Sequence, residues 1–332
     1  MARLAIIGLG LIGGSLGLAL KRAGLSNLEI TGWDAEWGVG PRAKKRGAID
    51  RDARDLASTV EGAALIVVAT PISAVAEVLE LIAPELEEGA VVTDTASTKR
   101  EIVHTAERLL PDGVSFVGGH PIAGKEHSGL DAADASLFES RSWAVTPSVH
   151  ASDDAIKAVE NMIAATGANP VLIDAAEHDS YMAAISHLPL IVSTALFSLA
   201  RTSSAWEDLG LLAGPGFRDL TRLASTNPEL SRDICATNGD NLVHWLDRMI
   251  EELRRARDLI AGDEAEQLSE IFKNMQEARN AFIEAPPVRE APRAEHDRMS
   301  AGERMLSFMM GEYAVRKVKE IEQSAREREE RR

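Results

Sequence analysis

Short apolar runs separated by helical periodicity fill the first half of the chain. Residues Arg3–Ile7 read as a buried strand, followed by a glycine-rich turn and a helix from Ile12 to Arg22; a second strand, Leu28–Trp33, ends in Asp34. Further apolar runs at Leu65–Ala69, Val91–Thr93, Val114–Val117 and Trp143–Thr146 are flanked by turn signals, with helical segments such as Ala74–Glu85 and Lys99–Leu109 between the earlier ones. A helix over Asp154–Thr166 precedes one more strand, Pro170–Ile173. Strands alternating with helices need right-handed crossovers, so residues 1–173 are predicted to form an α/β domain with a doubly wound, mostly parallel sheet.

The texture changes at Asp174. From there to Ala285 only helical periodicity remains, which predicts an all-helical domain over 174–285. Its first helix covers Ala176–Arg201 with Pro189 inside it, where a kink or a lost backbone bond is expected. Asn227-Pro228 is a helix start, with Asn as cap and Pro in the first turn, and two long helices follow at Leu242–Ile260 and Glu264–Glu284. The prolines of 285–292 break the pattern, and 286–332 reads as a linker and a charged helical tail.

The 332 residues suffice for two domains, and a hydrophobic content of 45% suffices for a sizeable core. A single cysteine, Cys235, rules out an internal disulfide framework and fits a reducing, cytoplasmic compartment. No leader cleavage site is evident, and no uninterrupted apolar run reaches membrane-spanning length, the run around Leu188–Leu199 being broken by Ser and Thr. The net charge of −16 argues against nucleic acid or an anionic membrane as partner. It would also repel an anionic small-molecule substrate, so any carboxylate must be held by specific local cations.

Gly8-Leu9-Gly10-Leu11-Ile12-Gly13 joins the first strand to the first helix. Its glycines permit a tight turn, close backbone approach to a pyrophosphate and close helix–strand packing, while the amides around Leu11 and Ile12 open the helix toward the phosphates. Asp34 stands at the end of the second strand, 21 residues after Gly13, where an acid bonds a ribose 2′-hydroxyl. A carboxylate there repels the extra phosphate of NADP, and Ala35 and Glu36 offer that phosphate no cation; Arg42 and Lys44 lie further on. The loop predicts a Rossmann-type NAD site. FAD and S-adenosylmethionine folds use similar loops, but an all-helical second half suits a dehydrogenase, because it supplies a wall for substrate opposite the nicotinamide.

Four polar clusters fall in or beside predicted loops. Thr70-Pro71 and Thr93–Lys99 lie at strand ends, where ligands bind in such sheets, although Ser97 is equally suited to capping the following helix. Gly118–Glu126 contains His120, which leaves a strand through two glycines and precedes a proline. Such an imidazole can take the hydroxyl proton when hydride leaves a carbinol carbon, or can simply bond its own loop. The fourth cluster lies in the helical half: Ser186-His187-Leu188-Pro189 and Gly214–Arg222. Taken alone, His187 reads as a core histidine, His127 as a surface group and Arg222 as a surface charge or a partner of Asp219.

Together these segments resemble the prephenate dehydrogenase family, over roughly residues 3–284 and in the family's order. Gly119-His-Pro-Ile-Ala-Gly124, with Glu126, Ser128 and Gly129, and Phe217-Arg-Asp-Leu-Thr-Arg222 are the specific segments. The resemblance implies oxidative decarboxylation of prephenate to 4-hydroxyphenylpyruvate in tyrosine biosynthesis, with NAD accepting hydride. It implies that His120 is the base, that Ser97 hydrogen-bonds near the reacting hydroxyl, and that Arg222 holds a substrate carboxylate. It implies also that His187 completes the pocket, that Glu126 gates or shapes it, and that a homodimer forms through the helical domain around Ile185–Leu199. No metal is implied. After residue 285 there is no mutase segment and no βαββαβ regulatory module, so tyrosine control through such a module is not expected.

Three other readings stand beside this one. Arogenate, which carries an amine where prephenate carries a keto group, is the alternative substrate. A β-hydroxyacid dehydrogenase would need a lysine in the helical half, and none lies between Ala176 and Arg201. A non-catalytic NAD-binding regulator would need Gly8, Gly10, Gly13 and Asp34 but not His120, Ser97 and Arg222 together.

Overall fold

The computed structural model describes residues 2–25, 27–125 and 127–285. The nucleotide-binding half runs β1 (Ala2–Ile7), α1 (Leu11–Arg22), β2 (Leu28–Trp33), α2 (Val39–Lys45), β3 (Arg51–Asp52), α3 (Leu56–Val60), β4 (Leu65–Val68), α4 (Ile72–Ile82), β5 (Val91–Asp94), α5 (Arg100–Leu109), β6 (Ser115–Pro121), β7 (Ser142–Pro147), α6 (Asp153–Ala165) and β8 (Asn169–Leu172). The eight strands form one sheet in the order β3-β2-β1-β4-β5-β6-β7-β8, parallel throughout except where β7 runs against β6. The order reverses between β1 and β4, which opens a crevice beyond their carboxyl ends.

Period-two alternation along the strands builds two cores. Leu4, Ile6 and Val67 face α1 and α6, with Leu16, Leu20, Val159 and Ile163. Ala5, Ile7, Ile66 and Val68 face α4 and α5, with Val75, Leu79, Ile102 and Ala106. Each such fully buried Leu or Ile contributes about 1.5–3 kcal/mol. The second core also takes in Leu190 and Ile234 from the helical half, so the two halves share apolar packing.

Two strand expectations need correction. The two-residue edge strand β3 gave no apolar signal, since its residues are Arg51 and Asp52. β6 does not end at Val117 but continues through His120 to Pro121, so His120 lies on a strand rather than in a loop. Antiparallel β7 supplies the partners that local propensity does not, with Gly119 opposite Val145, His120 opposite Ala144 and Pro121 opposite Trp143. Gly119 is required by close approach, because a Cβ there would meet the Asp94 carbonyl oxygen at 2.5 Å.

The helical half comprises α7 (Ala175–Met182), a π-helical turn (Ala183–His187), α8 (Leu188–Arg201), α9 (Trp206–Leu211), α10 (Pro215–Thr221), α11 (Pro228–Thr237), α12 (Gly239–Ala261) and α13 (Ala265–Glu284). Asp174 caps α7 through the amides of Ala176 and Glu177, and Asn227 caps α11 through those of Glu229 and Leu230. Pro189 has no N–H to give to the preceding turn, and the widened π turn accommodates that loss without ending the helix. The continuous helix Ala175–Arg201 is long and apolar enough to cross a membrane by length and composition alone. Its buried positions, however, hold His178, Asp179 and His187.

Candidate active site

The helical half supplies two carboxylates to helix N-termini of the nucleotide-binding half. Asp179 accepts hydrogen bonds from the amides of Lys99 and Arg100 at the start of α5, at 2.7 and 2.9 Å. Asp233 accepts from the amide of Ser73 at the start of α4, at 3.0 Å. Both act as caps delivered across the junction, and both complement the positive end of a helix dipole. Ser97 therefore does not cap α5: its side chain makes no capping bond, and Asp179 takes that role.

Beside the Asp179 cap lies a buried polar network. Lys99, with no exposed surface, bonds the Asp94 carboxylate and the Gly119 carbonyl, the latter at 2.7 Å. Asp94 in turn accepts from the amides of Gly119 and Ala96. The ends of β5 and β6 are thereby tied together one residue before His120, and Ser97, half-buried, sits on the short loop between Asp94 and Lys99. Burial lowers the Lys99 pKa, opposed by the attraction of Asp94.

His120 is 9% exposed, and its Nδ1 lies 2.9 Å from His178 Nε2; His178 Nδ1 lies 2.8 Å from an Asp179 carboxylate oxygen. The pKa of His120 is held well below its ordinary value, first by burial and then by His178, Lys99 and His187. It is therefore a neutral imidazole at neutral pH, able to accept a proton.

His187 belongs to the same neighbourhood. Asn238 donates its side-chain amide to the Asp179 carbonyl at 2.7 Å and to His187 Nδ1 at 3.1 Å. His187 Nε2 is buried with no hydrogen-bond partner among the described residues. On a regular helix eight residues leave two side chains about 80° apart. The π turn removes about one residue of rotation and brings Asp179 and His187 onto one face.

The cofactor loop follows the strand–turn–helix geometry. Gly8 has φ +92°, and a Cβ there would meet the Ala69 carbonyl oxygen at 2.5 Å, while a Cβ on Gly13 would strike the Gly8 carbonyl oxygen. Gly10 faces open space, and no side chain caps α1, so the amides beginning at Leu11 and Ile12 are not occupied by a cap. The Asp34 carboxylate is fixed by the amides of Leu9 at 2.7 Å and Glu36 at 2.8 Å. Thr70, at the end of β4, buries a hydroxyl that has no partner among the described residues, and Pro71 opens α4. These residues fit a dinucleotide: an uncapped helix N-terminus for phosphate and a fixed carboxylate for a ribose.

The family model described as "Prephenate dehydrogenase, nucleotide-binding domain" matches residues 16–172, and "Prephenate dehydrogenase, dimerization domain" matches residues 174–274. A prephenate dehydrogenase of Bacillus subtilis is 35% identical over 279 residues, covering 83% of this chain and 75% of that protein. The chain belongs to the prephenate dehydrogenase family. A cyclohexadienyl dehydrogenase of Zymomonas mobilis is 33% identical, covering 84% of this chain and 95% of its own. Among solved structures, prephenate dehydrogenase from A. aeolicus in complex with hydroxyphenyl propionate and NAD+ superimposes with a TM-score of 0.79 at 29% identity, covering 85% of this chain and 98% of that one.

Within this family member, Arg222 lies on an exposed 3₁₀ turn that follows α10, and forms no ion pair with Asp219 among the described residues. Ser193 of α8 donates to the Leu220 carbonyl at 2.8 Å, and Leu223 packs on the apolar cluster that contains Ala96, Ile72 and Leu190. The turn is thus anchored to α8 and to the apolar core that the two halves share. Glu126 lies outside the described residues, as does the tail from 286. Lys125 pairs with Asp134 at 2.9 Å, and His127 is exposed. Sequence reasoning missed His178, Asp179, Asn238 and the buried Lys99–Asp94 pair. One available signal was adjacent His and Asp in the first turns of a helix whose next inward positions, Met182 and Ala183, are apolar.

Proposed function

We propose that the protein catalyses the NAD-dependent oxidative decarboxylation of prephenate to 4-hydroxyphenylpyruvate, in the cytoplasm. The observation that carries this reading is His120, a buried neutral imidazole at the carboxyl edge of the sheet, in a chain of this family. NAD, held by the glycine loop and Asp34, would supply the acceptor for the hydride of the carbinol carbon. His120 Nε2 takes the proton of the same carbon's hydroxyl, and Ser97, on the neighbouring loop, orients that hydroxyl. The electron pair of the bond to the ring carboxylate flows into the ring as carbon dioxide leaves, and aromatisation drives this loss. The protein therefore has mainly to place the hydride and proton acceptors.

Arg222 holds a carboxylate of the dianionic substrate, a task for which a guanidinium fork suits better than lysine in a chain of charge −16. His187 contributes a neutral donor: its Nδ1 already accepts from Asn238, so its proton sits on Nε2, the nitrogen without a protein partner. Gly8, Gly10, Leu11, Ile12 and Gly13 hold the pyrophosphate, Asp34 a ribose hydroxyl, and Thr70-Pro71 line the same crevice. Glu126 gates or shapes the pocket in this reading.

Residues 1–173 serve as the dinucleotide domain and 174–285 as the substrate and dimerisation domain. The helical half exposes Ile185, Leu199, Leu211, Leu212 and Phe272, each 68% exposed or more, which supports a homodimer through this half. Arogenate is the second reading, favoured by the similarity to a cyclohexadienyl dehydrogenase. NADH absorbance after adding prephenate, arogenate or a 3-hydroxy acid to purified protein tests all three. Turnover of prephenate is expected; NADH from the 3-hydroxy acid alone would overturn the proposal.

A further inference from the structure

The chain from His120 to Asp179 has a direction. The Asp179 carboxylate is wholly buried and accepts from the two amides that open α5, so it faces donors on that side. An ionised carboxylate only accepts, so the 2.8 Å contact to His178 Nδ1 requires a proton on that nitrogen. In neutral His178 the other nitrogen, Nε2, then carries a lone pair. Across the 2.9 Å contact it accepts from His120 Nδ1, with the rings near edge-on at 75°. His120 therefore keeps its proton on Nδ1, and its Nε2 is left as the ring nitrogen with no protein partner among the described residues.

We propose that His178 and Asp179 are positioning residues that fix His120 in the tautomer able to act as base and compensate the positive charge it gains. This inference rests on the proposed dehydrogenation and names two residues through which its base works. When Nε2 takes the hydroxyl proton, the oxygen–hydrogen bond breaks and a nitrogen–hydrogen bond forms. The resulting imidazolium donates through Nδ1 to His178, whose own Nδ1–H is anchored on the anionic Asp179. Without that anion, the groups facing His120 would give little relief: Lys99 is cationic but paired with Asp94, and Lys99, His178 and His187 all oppose the new charge.

Local sequence and helix geometry explain how the pair is delivered. Asp174 caps α7, setting the entry of the helix so that positions 178 and 179 turn inward within its first two turns. Asp179 then performs two tasks, capping α5 and orienting His178. The N-terminus of α5 thus holds the same carboxylate that the imidazole pair needs.

Three variants and two readouts test the proposal. The first readout is the nitrogen-15 spectrum of the imidazoles, tractable with 8 histidines in the chain. Wild type is expected to show His120 protonated at Nδ1. In His178→Leu, which removes the acceptor facing Nδ1, His120 is expected to lose that preference. The second readout is turnover against pH with saturating NAD. Asp179→Asn is expected to lose about two to four orders of magnitude in kcat with little change in KM, and to move the acid limb about one unit lower.

Because Asp179 also caps α5, His178 supplies a pair of variants that leaves that cap alone. Gln at 178 can still accept from His120 Nδ1 and donate to Asp179, whereas Leu can do neither. His178→Gln is expected to keep most of the turnover that His178→Leu loses. Turnover and acid limb of His178→Leu matching wild type within about threefold would overturn the proposal. So would a wild-type His120 protonated at Nε2, or an Nδ1 preference that His178→Leu leaves unchanged. Failure of wild type to oxidise prephenate or arogenate would instead strike the proposed function, leaving the tautomer measurement to decide this inference.

Discussion

Asn238 donates its side-chain amide to His187 Nδ1 across 3.1 Å, and the direction is not free. The same nitrogen donates to the Asp179 carbonyl at 2.7 Å, and the Asn238 oxygen accepts from Asn241 at 2.8 Å. The amide cannot be turned round, so His187 must accept at Nδ1 and, while neutral, carry its proton at Nε2. His120 and His187 thus present opposite faces of imidazole chemistry to one site, a lone pair from the first and an N–H from the second. Divergent environments of this kind are how two like side chains are assigned different roles.

That arrangement makes the fold sensitive to acid. Burial lowers the His187 pKa from 6.5 to about 4, opposed by the attraction of Asp179. In the unfolded chain His187 takes up its proton as pH falls through 6.5; in the folded chain it resists until about 4. The unfolded state therefore binds more protons across this window, and stability falls as pH falls through it and is flat above it. His120, also lowered, adds to the same slope. Denaturant midpoints from pH 7 down to about 4 are expected to decline, with a shallower decline in His187→Gln. An identical slope in that variant would remove His187 as a source.

His120→Asn is expected to lower turnover by about two to four orders of magnitude while leaving NAD affinity as in wild type. The side chain lies on β6, away from the glycine loop after β1, so cofactor titration by fluorescence separates the two effects. Near-normal turnover would remove the base assignment.

Local signals made much of this legible in the sequence. The glycine loop, Asp34 and the cap at Asn227-Pro228 are contiguous patterns, and the structure has them where the pattern predicted. His120 stood out because an imidazole between apolar strands needs a reason. His178 and Asp179 did not stand out, because their partners are 58 and 80 residues away and no short-range pattern encodes that contact. Ser97 drew attention as a cap for the same reason, since the true cap arrives from another domain. The π turn was hidden as well: Pro189 announces a disturbance, but its consequence, Asp179 and His187 on one face, depends on how the helix absorbs it.

Arg222→Gln is expected to raise the Michaelis constant for prephenate by about 10- to 100-fold, the worth of a charge-assisted bond to a carboxylate. The NAD dissociation constant should stay unchanged, because the 3₁₀ turn at 222–225 belongs to the helical half. Arg222→Lys should recover only part of the loss, since an ammonium lacks the planar fork. Equal weakening of substrate and cofactor would contradict the carboxylate role.

Asp34→Ser and Asp34→Asn are expected to erode NAD preference by raising NADP affinity about tenfold or more, as the charge facing a 2′-phosphate disappears. The two variants differ usefully. Asp34 also accepts from the amides of Leu9 and Glu36, and Asn retains an acceptor for one of them, so Asn should cost less stability. Comparing kcat/KM for the two dinucleotides checks the first expectation, and thermal melts the second. Unchanged discrimination in both variants would count against Asp34 as the selectivity residue.

Lys99 and Asp94 form an ion pair with no solvent exposure on either side chain, and breaking it from one side should be costly. Lys99→Met leaves Asp94 buried, still accepting from the amides of Gly119 and Ala96 but without its cation. The expected loss is about 3–5 kcal/mol in denaturant unfolding. Asp94→Asn leaves the ammonium facing neutral acceptors, the Gly119 carbonyl and the new amide oxygen, again a charge without its counterion. The double variant removes both charges together, so it should be less destabilised than the sum of the singles by about 1–3 kcal/mol. Additivity within about 0.5 kcal/mol would show that the pair does not act as a unit. Activity should follow geometry here: both residues bond Gly119, directly before His120, so the double variant is expected to fold yet turn over more slowly than wild type. Its loss should appear in kcat, because what moves is the base and not the groups that bind the substrate's carboxylates.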